Sequence, residues 1–164
     1  MTSEISYRHN NPIGRLPILN VEPTVEAGRW AAKAFVGEVI PFSAVSFREG
    51  HDALGVELLL TNPKGDLTIK RMHTGAAGTD SWHTEVQLEE QGVWKFQIRA
   101  FSDDYETWHH NTEVKLAAGV DEELMMLEGV ELFTRAAAEK DRKKSNAKEL
   151  VLAAEVLADQ SHSP

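Results

Sequence analysis

Leu54, Val56, Leu58 and Leu60 occupy every second position of one run, and Trp94, Phe96, Ile98 and Ala100 repeat the arrangement further along. A period of two places such residues on one face of a strand. The intervening residues, Val93, Lys95, Gln97 and Arg99 in the second run, then fall on the other face. Turn residues punctuate the runs, as in "TNPKGD" after the first. Weaker alternation predicts strands at Phe35–Phe47, Leu67–Met72, Ser81–Leu88 and Trp108–Leu116. About seven short antiparallel strands at such spacing predict an immunoglobulin-like β-sandwich from Ile18 to about Leu116.

After "AAGVD" the period changes from two to nearly four. Met126, Val130, Phe133 and Ala137 form one helical stripe, with Met125, Gly129, Leu132 and Ala136 beside it. Asp121 is placed to cap this helix, and Glu122 and Glu123 suit the positive end of its dipole. A second helix is predicted from the capping-box pattern of Asn146 and Glu149 and from Leu150, Ala153, Ala154 and Leu157 at i, i+3, i+4, i+7. The fold class is therefore mainly β, an antiparallel sandwich followed by an α-helical hairpin. The predicted divisions are a flexible arm over residues 1–17, the sandwich over 18–118 and a truncated helical segment over 119–164. Two helices with wide apolar stripes must bury them, either on the sandwich or against partner helices missing from this chain.

Length and charge exclude several functions. At 164 residues the chain is too short for a (β/α)8 catalytic barrel, which needs about 250. The formal net charge of −9 speaks against nucleic acid, whose phosphates demand a broad positive face. No apolar run is long enough to span a bilayer, and "MTSEISYRHNN" lacks the regions of a secretory signal. With no cysteine in the chain, the expected location is the cytoplasm.

The aromatic and titratable residues divide into core and surface candidates. Trp82, Trp94 and Trp108 share strand faces with apolar residues and are expected in the core, whereas Trp30, in "EAGRWAAKA", has no such partners. Of the seven histidines, His109 and His110 would point to opposite sides of a strand, and His51 beside Asp52 offers one weak ligand pair. No metal and no cofactor are expected. There is no nucleophile elbow and no phosphate-cradling glycine loop. "FREGHD" brings Arg48, Glu49, His51 and Asp52 into one connection between strands. Glu49 and Asp52 have the spacing of an acid–base pair, but a polar turn bonded to its own backbone is the favoured reading.

The order of the motifs carries a resemblance. "GRLPILNVEPTVEAGRWAAKAFVGE", "FREGHDAL", "GTDSW", "GVWKF", "TWHHNTEVKLAAGVDEEL" and "LEGVELFTRAAA" closely resemble the amino-terminal part of the α-1,4-glucan:maltose-1-phosphate maltosyltransferases, of the α-amylase-like glycoside hydrolase superfamily, family 13. The resemblance runs from Gly14 to about Ala138. It implies an N-terminal β-sandwich interrupted by a helical insertion and followed by a catalytic barrel in the same polypeptide. It further implies transfer of maltosyl units from maltose 1-phosphate to α-1,4-glucans, with retention and release of phosphate.

The catalytic residues would belong to the barrel, so none is expected here. The implied work of this part is homodimerisation and interdomain support of the active site. Arg48, Glu49, His51 and Asp52 become interdomain or near-site candidates, and Trp30 a candidate surface or glucan contact. The family commonly has proline where this chain has Ala31, and Arg and Asp where it has His109 and Asn111. An ion pair made elsewhere at those last two positions is not expected here. The alternatives are a stand-alone α-glucan-binding module and an adaptor protein.

Overall fold

The computed structural model describes residues 15–140 and 142–159. The expected N-terminal arm lies, through residue 14, outside the described residues. The chain divides into two compact units. One holds the described residues up to Gly50 together with Leu54–Ser102, and the other holds His51–Ala53 with the described residues from Asp103 onward.

The first unit is the sandwich. Seven strands, β1 (Ile18–Glu22), β2 (Val39–Ser46), β3 (Leu54–Thr61), β4 (Leu67–Arg71), β5 (His73–Thr74), β6 (Ser81–Gln87) and β7 (Lys95–Ser102), form two antiparallel sheets. Their orders are β1-β2-β6-β5 and β4-β3-β7. With strands lettered in chain order this is the A-B-E-D and C′-C-F arrangement of an immunoglobulin-type sandwich. The chain changes sheets at Met72. Its amide donates to the Val56 carbonyl at 2.9 Å and its side chain is fully buried.

Alternation builds the core. Phe42 from one sheet meets Val56, Leu58 and Leu60 from the other, with Met72 between them, while Trp82, Val86, Trp94, Phe96, Ile98 and Ala100 close around them. Phe42 and Phe96 meet edge to face at 5.0 Å, the arrangement favoured by ring quadrupoles. Trp82 and Trp94 satisfy their indole N–H groups on the carbonyls of Ser46 and Glu90. The nearby Lys64 ammonium, 2.7 Å from Glu90, has its pKa raised by that carboxylate, which hydrogen-bonds it and attracts its charge.

The second unit is helical, with α1 (Asp104–Ala118), α2 (Glu122–Ala137) and α3 (Lys144–Ala158). The strand expected at Trp108–Leu116 is therefore corrected to helix. The Asp103 carboxylate caps α1 by accepting from the Glu106 amide at 3.1 Å, and Gly119 closes it at φ 65°. That left-handed conformation suits glycine. Trp108 is partly buried as expected, but among helices: its N–H donates to the Met125 carbonyl at 2.8 Å and its ring meets Phe133 edge to face at 5.4 Å. Val114 and Leu116, read as its strand partners, are exposed.

In α2 both predicted stripes turn inward, led by the buried Met125 and Gly129, and in α3 the predicted Leu150, Ala153, Ala154 and Leu157 do so. The caps differ from expectation. Asp121 stands at the N-cap of α2 without a side-chain cap bond; its carboxylate lies instead 3.2 Å from the Lys115 ammonium. Helix α3 starts before the expected Asn146 box, and the Asn146 carboxamide oxygen accepts from Ser145 at 3.0 Å.

Candidate functional site

The β1–β2 connection is built to present side chains outward. Glu26, Ala27 and Gly28 have positive φ and form a tight 3-10 turn, while Val25 and Trp30 face each other across an isolated β-bridge. The turn leaves Trp30 58% exposed, with its N–H on the Glu26 carboxylate at 3.0 Å and the Arg29 guanidinium 5.6 Å from its ring centre. Phe35 and Val36 follow, 84% and 58% exposed. Three large apolar side chains are thus held in water by a connection that is itself pinned. The amide of Gly37 donates to Leu88 at 2.7 Å and that of Leu88 to Glu38 at 3.1 Å. Glu38 also accepts from the Phe35 amide at 2.7 Å. Sequence reasoning found Trp30 and missed Phe35, which it assigned to the start of β2.

The "FREGHD" residues are shared between the two units. Arg48 and Glu49 belong to the sandwich unit, where the Arg48 guanidinium donates to the Ser102 hydroxyl at 3.0 Å. His51 and Asp52 belong to the helical unit. There Ala53 ties the segment to the start of α1, its amide donating to the Thr107 hydroxyl at 2.8 Å and its carbonyl accepting from Asp103 at 2.9 Å. Thr107 completes the link by donating to the Asp103 carbonyl at 2.8 Å. The segment is thus anchored through the backbone of Ala53. The acid–base pair suggested by Glu49 and Asp52 is not built within either unit.

Asp52 lines a groove of about 310 Å³ between α1 and α2, together with Asp104, Trp108, Asn111, Glu128 and Arg135. Arg135 and Asp104 bond across it at 2.7 Å. Both groups are more than half exposed, so the pair adds little to stability. Among the described residues no three or more His, Asp or Glu side chains gather as a metal site. No helix among them is long and apolar enough to cross a membrane. His109 and His110 sit on α1 rather than a strand, and His109 stacks on Tyr105 at 5.7 Å.

A family model described as "Alpha-1,4-glucan:maltose-1-phosphate maltosyltransferase, domain N/S" matches residues 14–163. Alpha-1,4-glucan:maltose-1-phosphate maltosyltransferase 1 of Streptomyces coelicolor is 38% identical over 161 residues, which are 98% of this chain and 24% of that protein. Maltosyltransferase 2 of the same organism is 42% identical over 127 residues, covering 77% of this chain and 19% of its own length. The Corynebacterium pseudotuberculosis enzyme is 35% identical over 147 residues, covering 88% and 22%. The chain spans no more than about a quarter of the length of these curated relatives.

Proposed function

The chain belongs to the domain N/S family of the α-1,4-glucan:maltose-1-phosphate maltosyltransferases, and we propose that it is the non-catalytic amino-terminal part of such an enzyme. One observation carries this reading: the match covers nearly the whole chain, while the relatives that bear the activity in their names are about four times as long. The catalytic barrel lies elsewhere in the same polypeptide. It breaks the bond between the maltosyl C1 and phosphate, holds the sugar on an aspartate nucleophile, and passes it with retention to an α-1,4-glucan acceptor. Phosphate leaves; a glutamate protonates it and later takes the acceptor proton. The location is cytoplasmic.

Within that enzyme the part serves assembly, through homodimer contacts and support of the active site. Three observations favour such a role. Trp30, Phe35 and Val36, close in sequence on one connection, all present apolar surface to water, as an interface would. Leu124, Leu127, Leu152 and Val156 are exposed on the helices, as faces awaiting further structure would be. Among the described residues β7 hydrogen-bonds only with β3, so its other edge is open to a further strand in the position of the last one of an immunoglobulin sandwich. Arg48 and Glu49 of the sandwich unit and His51 and Asp52 of the helical unit take interdomain contacts with the catalytic part of the enzyme.

The test is made in the whole enzyme. Trp30→Ala with Phe35→Ala should leave the stability of this part within about 0.5 kcal/mol, because exposed side chains contribute little. The same pair of changes should lower both dimer content and turnover, as should joint alanine substitution of Arg48, Glu49, His51 and Asp52. Unchanged assembly and turnover in both variants contradict the proposal. The exposed Trp30 also favours a second reading, an α-glucan-binding module. That reading gains if the chain is retarded on a glycogen-containing native gel and Trp30→Ala removes the retardation.

A further inference from the structure

The pairing of β5 with β6 sets His73 directly opposite His83, with ring centres 6.3 Å apart and planes tilted by 53°. Along β6, His83 alternates with the buried Thr84, so both imidazoles stand on the outer face of the four-stranded sheet, and both are exposed. We propose that this cross-strand pair chelates a divalent transition-metal ion of the imidazole-binding class: copper(II), nickel(II) or zinc(II).

Distances support a shared ion. A metal–nitrogen bond of about 2.0–2.1 Å places each ring centre about 3.2 Å from the metal, so two rings share one ion at centre separations of about 4.5 Å (cis, square planar) to about 5.2 Å (tetrahedral). The observed 6.3 Å calls for a closure of about 1–2 Å, within the rotamer freedom of two exposed side chains. The backbone supplies the rest, since directly opposed strand residues hold their Cβ atoms about 4.5–5.5 Å apart. Two protein ligands leave the remaining coordination positions to water, the pattern of an open site rather than a closed structural one.

The other neighbouring pair does not compete. His109 and His110 are successive on α1, where side chains diverge by about 100°. A bound ion would also fasten β5, a strand of 2 residues, to β6. Binding to the folded state alone then raises stability by mass action.

The experiment titrates the intact polypeptide, free of any histidine tag, with copper(II) and with nickel(II) by calorimetry, and follows Tm with and without ion. His73→Ala and His83→Ala should each weaken one class of sites by at least about tenfold and remove the Tm rise that goes with it. His73→Gln and His83→Gln, which preserve size and polarity, should show the same loss. Joint replacement of His109 and His110 by alanine should leave that class intact. Stoichiometry and affinity unchanged in the His73 and His83 variants, or loss of the class only in the His109 and His110 variant, overturns the proposal.

Discussion

Leu58→Ala is expected to lower the unfolding free energy by about 2–5 kcal/mol, the cost of truncating a leucine whose surroundings cannot collapse onto the void. Leu58 is 0% exposed. It lies on β3, which is held on one side by β4 and on the other by β7, so its backbone cannot shift to fill the space. Phe42, Val56, Leu60 and Met72 surround it in the buried cluster. The comparison is Ile69→Ala on β4, an edge strand whose residues are all exposed; the expected change there is within about 0.5 kcal/mol. Urea unfolding of the two variants separates them. Equal midpoints would mean that the core is not centred on β3.

Gly129→Ala opposes two principles at one position. Helix propensity alone favours alanine over glycine by about 1 kcal/mol inside a helix. A Cβ on Gly129, however, would lie 2.5 Å from the Trp108 ring and 2.8 Å from Leu157, both inside normal contact distance. Trp108 has no slack to give: its indole N–H is fixed on the Met125 carbonyl, and Phe133 and Tyr105 hold its ring from other sides. Overpacking of this kind costs about 1–3 kcal/mol, so the substitution should destabilise the helical unit. Thermal unfolding followed by helical ellipticity, with near-ultraviolet signals reporting on the tryptophans, is the check. A variant as stable as the parent or more so would mean that α1, α2 and α3 are not packed this closely at Gly129.

Strands β3 and β7 were legible because Leu54, Val56, Leu58, Leu60 and Phe96, Ile98, Ala100 follow the pleat without interruption. The stripes of α2 and α3 were legible because their buried positions are apolar. Helix α1 was not, because the side chains it turns inward include Thr107, Thr112 and Lys115 beside Trp108, so its burial period is not a hydrophobic period. Its ends did carry signals, in Asp103 three residues before Glu106 and in Gly119.

The functional candidates divide along the same line. Trp30 stands outside any alternating apolar face, and its exposure follows. The place of His51 and Asp52 in the helical unit goes with Ala53 bonding to Thr107 and Asp103, residues far along the chain that no local pattern connects. The His73 and His83 pair likewise arises from strand register, and spacing in the sequence does not reveal which residues will face each other.

Phosphate release from maltose 1-phosphate, in the presence of an α-1,4-glucan, tests the central claim most directly when the 164-residue chain and the natural polypeptide that carries it are assayed side by side. Release and glucan elongation are expected from the whole polypeptide and neither from the chain alone. Turnover by the chain alone, or a folded whole polypeptide that releases no phosphate, would contradict that claim.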